Sequence, residues 1–317
     1  MITTDIDSAA NALRANQLVA IPTETVYGLA GNAFSDAAVR QIFLLKKRPA
    51  YNPLIVHIKS TDDLSLVAQH IPDMAYQLAA RFWPGPLTLI LEKKPHISDL
   101  ITAGKKTVAV RIPRHPLTLD LLHRLDFPLA APSANPFGSI SPTSAQHVAA
   151  YFKDNLEVIL DGGNCEQGVE STIIGFENNQ VVLYRHGAVA TDEIAAIAGP
   201  LNVHTSDNMA PVSPGMLSRH YSPQTTTVLT NDIGNCVKDF YGKKIGVLVF
   251  SQTLTDEKIA HQEVLSAGGQ LAEAARNLYA SLHRLDRLQL DVIVAERLPE
   301  VSLGLTINDR LERAAKQ

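Results

Sequence analysis

The stretch LIVHIKSTDDLSLVAQHIPDMAYQLAARFWPGPLTLILEKKPHISDLITAGKKTVAVRIP (54–113) decides the fold class. LIVHI (54–58), LTLILE (87–92) and TVAVRI (107–112) are short apolar runs, and each reads as a strand. Between the first two, Ala75, Leu78, Ala79 and Phe82 recur at helical spacing and mark one apolar face. Strands and helices intermix, so the class is α/β. Several strand pairs are close enough in sequence to be antiparallel, which makes the expected sheet a mixed one.

The same alternation extends in both directions. Upstream, Ile6, Ala9, Ala10 and Leu13 mark a first helix, and LVAI (18–21) is a buried strand stopped by Pro22. Ser35 is a candidate N-cap for a helix with the stripe Val39, Ile42 and Phe43, which must end near Arg48 because Pro49 cannot continue it. Downstream, PLAA (128–131), LEVIL (156–160), STIIGF (171–176) and QVVLYR (180–185) read as strands, with helices over 143–152 and about 191–198. Residues 199–225 are rich in Pro, Ser, Asn and Gly and lack periodicity, the texture of a linker or a functional lid. Beyond them come strand KIGVLVF (244–250), a helix near 270–285, strand DVIVAE (291–296) and a helix near 307–315. The expected division is a main domain over 1–198, a linker or lid over 199–225, and a small α/β domain over 226–317 with parallel crossovers.

Bulk properties narrow the function classes. A chain of 317 residues has room for two domains, and 45% apolar with 19% charged residues is ordinary for globular protein. The net charge of -4 gives no overall pull toward nucleic acid and leaves room only for a local basic patch. No apolar run approaches the roughly 20 residues that cross a bilayer. The N-terminus has two aspartates and no apolar signal core. Cys165 and Cys236 lie outside any CxxC pair, so a reducing cytoplasm fits best.

Five constellations carry chemistry. In LLKKRPAYNP (44–53), Lys46 and Arg48 end a helix, where cations complement the negative end of its dipole; a solvated helix end is one reading. A phosphate clamp is the other, with Arg offering a fork of donors, Lys a point charge and Asn52 a neutral donor. PTETVYGLAG (22–31) places Thr23 and Thr25 after a strand, where they serve either a ligand or a helix whose first turn holds Glu24 and Thr25. Arg111 shares a strand face with Ala109 and needs a partner, because an unpaired buried charge is costly. An internal carboxylate or a substrate carboxylate could supply it.

APSANPFGSISPTSAQ (131–146) crowds Ser133, Asn135, Ser139 and Ser141 into a loop before a helix capped by Thr143 or Ser144. Such a loop can cap the helix, bind phosphate oxygens, or do both. GGNCEQGVESTI (162–173) brings Glu170, Ser171 and Thr172 to a strand start after a glycine-rich turn. Neither GxxxxGKS nor a strand-linked GxGxxG occurs, so a nucleotide site here is neither a P-loop nor a dinucleotide fold. The scattered histidines give no reason to expect a metal site, and Cys165 reads as a loop thiol rather than a nucleophile.

Together PTETVYGL, KKRP with NPLIVHI, FWPGPLTLIL, VAVRIP, APSAN, GVESTI and LYRHG resemble the YrdC-like threonylcarbamoyl-AMP synthases, in order and spacing, over about residues 5–190. PGMLSRHYSP and GLTINDRLERAA resemble the linker and accessory domain of the long, two-domain form. The resemblance implies a twisted mixed-sheet domain with an open cleft and a smaller, Rossmann-like α/β accessory domain. It implies that L-threonine, bicarbonate and ATP, with Mg²⁺, become threonylcarbamoyl-adenylate and pyrophosphate. The product would pass to a cytoplasmic tRNA-modifying transferase complex, with room for a weak tRNA contact and no membrane.

By the same resemblance, Thr25, His57, Arg111, Ala131 and Ser171 form the threonine pocket. Arg48, Asn52, Thr107, Ser133, Ser141, Arg185, Tyr221 and Gln224 contact ATP, and Lys46 with Arg48 carries the phosphate-side catalysis. One departure is His186, where proline is common after the arginine. The chemistry needs positioning and charge neutralisation rather than a protein nucleophile. It also needs exclusion of water, for which 199–225 is the candidate cover, with SRHYSP (218–223) as its gripping end. Two other readings stand beside this one: a double-stranded RNA binding module of the same fold, and a hydrolase of the adenylate.

Overall fold

Alternation along two strands determines which face of the main sheet is core and which is cleft. The structure is a computed structural model and describes residues 1–178, 180–204 and 220–316. On the Ile55–His57 and Thr107–Arg111 strands, Val56, Val108 and Val110 point into the main core with Leu89, Leu91 and the helix residues Val39, Ile42, Ala75 and Leu78. Ile55, Ala109, Ile90 and Ile173 form a separate apolar cluster with Tyr184 against it, and this is the opposite face. His57 and Arg111 follow Ile55 and Ala109 by two residues, so they share that second face.

Among the described residues, one sheet has eleven strands, running from an edge at Ile2–Thr3 to the other edge at Asn202–Val203. Ile55–His57 and Thr107–Arg111 lie side by side and parallel in its middle, with His57 and Arg111 as Cα partners. Leu87–Glu92 runs antiparallel to Thr107–Arg111 and parallel to Thr172–Glu177. The last of these forms a hairpin with Gln180–Arg185. The sheet is thus mixed, as the strand spacing predicts.

The helix alternative for PTETVYGLAG is overturned. Residues 22–27 form a turn, and Gly28–Asn32 is a strand antiparallel to Val19–Ile21. Its two glycines admit close neighbours: a Cβ on Gly31 would lie 3.0 Å from Leu18 Cδ2, and one on Gly28 would lie 3.3 Å from Ala131 Cβ. The expected helix at 35–48 is Asp36–Lys46, with Ser35 capping the amide of Ala38 and Lys47 in the left-handed region at φ 52°. The reading of Lys46 and Arg48 as a solvated helix end is also overturned. Both point inward, 1% and 7% exposed, while Lys47 between them faces outward.

Four further strands form a parallel sheet in the order Thr227–Thr230, Val292–Glu296, Ile245–Val249, Ile259–Val264. Helix Leu271–Asp286 packs Leu278, Leu282 and Leu285 into a core that also takes Val26, Ile140, Val169 and Tyr221. The small sheet's core therefore continues into loops of the large one. At Gly168, φ 72°, a Cβ would fall 2.3 Å from the main-chain oxygen of Arg276, so loop and helix backbone touch directly. Residues 205–219 of the expected cover lie outside the described residues. Among the described residues, no helix is long and apolar enough to cross a membrane.

His147 and His283 stack across this junction with ring centroids 3.9 Å apart. His283 Nε2 donates to the carbonyl of Ser141, and His147 Nδ1 accepts from the amide of Thr143. Burial, then the charges of His283, Arg287 and Arg284, push His147 down to about 3. Burial, reinforced by Arg287 and opposed by the Ser141 carbonyl, pushes His283 down to about 4. Both rings are neutral when folded and bind a proton more readily when unfolded. Their stabilisation is therefore complete above about pH 6.5 and is lost as pH falls toward 4, by about 2 kcal/mol per ring at pH 5. Thermal unfolding at pH 7.5 and pH 5 should show a smaller acid loss in His147→Gln than in the unaltered chain.

Candidate active site

A turn, two sheet strands and a helix end converge on the open face. In the turn, Thr23 Oγ1 donates its only proton to the carbonyl of Val26 at 2.6 Å. It accepts from the amides of Thr25 and Val26, and its contact with Thr25 Oγ1 at 2.8 Å must then be donated by Thr25. Thr25 Oγ1 in turn accepts from Arg111 Nη1 at 3.1 Å. The chain Arg111, Thr25, Thr23, Val26 thus runs in one direction and fixes each hydroxyl. Arg111 Nη2 donates to Glu24 Oε2 at 3.3 Å, which also accepts the amide of Arg114. Of the two partners open to Arg111, an internal carboxylate is the one found.

Beside Arg111, His57 is 4% exposed, and burial together with the Arg111 charge holds it well below the usual imidazole range. It is neutral at physiological pH. Ser171, at the start of the Thr172–Glu177 strand, shares a 2.7 Å hydrogen bond with Thr88 Oγ1. Arg185 Nη2 donates to the carbonyl and the hydroxyl of Ser171, at 2.8 and 3.1 Å.

Arg48 enters from the helix end. Its Nε donates to the carbonyl of Asn52, and its Nη2 donates to Asn52 Oδ1 and to the carbonyl of Pro53. Burial lowers it to about 9; nearby Arg185 adds to the drop and Tyr221 opposes it, so the guanidinium keeps its charge at neutral pH. Lys46 lies behind the wall, its Nζ donating to the carbonyls of Ser133 and Asn135. Burial and the charge of Arg48 hold it well below the usual lysine range.

Arg48, Arg111, Arg185, Thr25, His57 and Ser171 line one cleft, in which Arg48 and Arg185 lie close enough for their charges to interact and Thr25 and His57 adjoin Arg111. A concave site with a few convergent polar groups suits a small-molecule ligand. Glu24 Oε1, Arg111 Nε, Asn52 Nδ2 and Tyr221 OH are buried and have no hydrogen-bond partner among the described residues.

A family model described as "Telomere recombination" matches residues 11–187, and one described as "Threonylcarbamoyl-AMP synthase, C-terminal domain" matches residues 189–316. The chain is 42% identical to the threonylcarbamoyl-AMP synthase of Pyrococcus abyssi, covering 97% of this chain and 93% of that protein. It is 40% identical to the Bacillus subtilis protein of the same name, covering 98% and 92%. The chain belongs to the threonylcarbamoyl-AMP synthase family. A solved structure of P. abyssi Sua5 complexed with L-threonine superposes with a TM-score of 0.92 at 41% identity, covering 98% of this chain and 94% of that one.

In this synthase-family chain, the cleft brings together Thr25, His57, Arg48, Arg111, Ala131, Ser133, Ser171, Arg185 and Tyr221. Other expected residues stand apart from the lining. Asn52 is fully buried behind Arg48, Ser141 donates to Glu170 at 2.7 Å, and Lys46 orders the Ser133–Asn135 loop. Thr107 lies on the same strand face as Arg111, four residues and about 13 Å away. Gln224 is exposed and bonds through its amide to Asp286. Sequence reasoning missed Thr88, whose hydroxyl sits in the apolar LTLILE run with no local signal, and the role of Glu24 as the Arg111 partner. Cys165 is a free thiol that burial and Glu24 push up, which fits the loop-thiol reading. Thr23→Ala removes the hub of the turn and should lower stability by about 1–3 kcal/mol in denaturant unfolding.

Proposed function

We propose that the chain condenses L-threonine, bicarbonate and ATP into L-threonylcarbamoyl-adenylate and pyrophosphate for tRNA modification. The observation that carries this is one cleft lined by three buried arginines from separate segments. Arg111, paired with Glu24, donates to the hydroxyl of Thr25, and Arg48 and Arg185, whose charges interact, line the same cleft.

In this reading the threonine carboxylate meets Arg111, whose Nε is otherwise unpartnered. The fixed hydroxyls of Thr25 and Ser171 surround the substrate's amine and side chain. Neutral His57 adds no positive charge against an incoming ammonium group. Once the ammonium has given a proton to solvent, the free amine attacks the bicarbonate carbon; the C–OH bond breaks and the hydroxide takes a second proton from the nitrogen and leaves as water, giving a carbamate. A carbamate oxygen then attacks the α-phosphorus, the bond to the bridging oxygen breaks, and pyrophosphate departs against Arg48 and Arg185. Preorganised charge of this kind is the main catalytic resource, because no protein nucleophile is needed.

Among the described residues no cluster of His, Cys, Asp or Glu is suited to holding a metal ion. Mg²⁺, where it accompanies ATP, would be held by the phosphates. The adenylate is a mixed anhydride prone to hydrolysis, which favours direct transfer to a tRNA-modifying partner. Two free cysteines accord with a reducing cytoplasm. The RNA-binding alternative is disfavoured because Arg48, Arg111 and Arg185 are buried in the cleft instead of forming an outward basic surface.

Pyrophosphate release should require ATP, threonine and bicarbonate together; release that persists when threonine is omitted would refute the reading. Arg48→Ala should reduce turnover by about 100-fold or more while thermal unfolding remains cooperative. Serine, lacking one methyl, should be disfavoured by only about 10–200-fold in kcat/KM, and valine, lacking the hydroxyl, by more.

A further inference from the structure

Strand Leu87–Glu92 carries one buried polar side chain, that of Thr88. Leu87, Leu89 and Leu91 enter the main core, while Ile90 joins Ile55, Ala109 and Ile173 on the opposite face. Thr88 precedes Ile90 by two residues and shares its face, fully enclosed. A hydroxyl shut away from water is costly unless it is hydrogen-bonded. Its one partner among the described residues is Ser171 Oγ, at 2.7 Å, at the start of the neighbouring parallel strand.

Proton counting fixes the direction of that bond. A hydroxyl has one proton to give and two lone pairs that receive. If Ser171 were the donor, the Thr88 proton would be buried with no acceptor among the described residues, so Thr88 donates. Ser171 Oγ also accepts from Arg185 Nη2 at 3.1 Å. Both of its lone pairs are then engaged, while its own proton has no acceptor among the described residues. Ser171 lines the cleft, so it offers a ligand a donor and cannot accept.

Thr25 has the opposite sense. It gives its proton to Thr23 Oγ1 and accepts from Arg111 Nη1, which leaves it one lone pair and nothing to donate. Two hydroxyls of opposite sense in one cleft fit a ligand that has both N–H groups and oxygen acceptors, as an amino acid does. An acceptor beside the amine holds its N–H groups and leaves the nitrogen lone pair open for attack. A donor in that place would occupy the lone pair.

We propose that Thr88 is a positioning residue for the amino-acid substrate. By donating to Ser171 it commits the Ser171 proton to an oxygen of that substrate, while Thr25 receives the amine. The inference rests on the reaction assigned above.

The test separates the proton of Thr88 from its shape. KM for L-threonine and for ATP is measured by bicarbonate-dependent pyrophosphate release in the unaltered chain, Thr88→Val, Thr88→Ser, Ser171→Ala and Thr88→Val/Ser171→Ala. Thr88→Val keeps the shape and loses the proton. It should raise KM for threonine by about 5-fold or more, with a smaller change in KM for ATP. Thr88→Ser keeps the proton and loses a methyl group, and should stay within about 2-fold of the unaltered chain. Packing alone gives the reverse order, with valine tolerated and serine impaired. Because Thr88 acts through Ser171, Thr88→Val should add less than about 2-fold to the KM of Ser171→Ala, whereas independent effects multiply. An unchanged threonine KM in Thr88→Val, an equal rise in both KM values, a serine variant as impaired as the valine one, or multiplying effects overturns the proposal. Should Thr88→Val fail to fold, Thr88→Cys takes its place, since a thiol of similar size is a weak donor. An unaltered chain that releases no threonine-dependent pyrophosphate overturns the assigned reaction and this inference with it. An active chain indifferent to the Thr88 proton overturns this inference alone.

Discussion

Three guanidinium groups, those of Arg48, Arg111 and Arg185, are held out of bulk water in one cleft, and the surrounding structure exists largely to make that tolerable. Removing a charge from water is costly unless hydrogen bonds or a counter-charge replace the lost solvation. Each arginine solves this differently. Arg48 uses main-chain carbonyls and Asn52, Arg185 uses Ser171, and Arg111 uses Glu24 and Thr25. Arg111 is paired directly with a carboxylate, that of Glu24, and so it suits a singly charged ligand. Arg48, whose hydrogen bonds go to main-chain carbonyls and the Asn52 amide, suits a more anionic one.

The backbone arrangement follows from those needs. Parallel pairing of Ile55–His57 with Thr107–Arg111 sets an imidazole beside a guanidinium, and the guanidinium helps to keep that imidazole uncharged. The hairpin turn presents two threonines whose proton directions are dictated by the arginine behind them. Packing then fixes the frame: Val56, Val108 and Val110 are buried on the far side of the same strands, each contributing about 1.5–3 kcal/mol. A one-residue slip in either strand would exchange valines for charges across the sheet.

Much of this was legible in the sequence, and the reasons differ by residue. The α/β class and the helix stripes followed from period alone, because Ala75, Leu78, Ala79 and Phe82 are all buried on one side. Arg111 was visible as a cation in an apolar strand. The hairpin at 19–32 was hidden because its second strand, GLAGN, is chosen for close approach rather than for strand propensity, and threonine after a strand equally signals a helix cap. Lys46 and Arg48 could not be told apart by spacing, since an αL residue between them redirects the chain. The link from Glu170 to Arg310 spans 140 positions, and nothing local at either end announces it.

The nature of the cations has a chemical corollary. A mixed anhydride of a carbamate and a phosphate is an acylating agent, and a free amine or thiolate beside it would be carbamoylated. Among the described residues lining the cleft there is neither lysine nor cysteine, and all the positive charge is carried by guanidinium groups, which are poor nucleophiles. Lys46, the nearby amine, is tied to two carbonyls behind the wall, and burial keeps the Cys165 thiol protonated. The cleft is built of groups that can touch its own reactive product without being consumed by it.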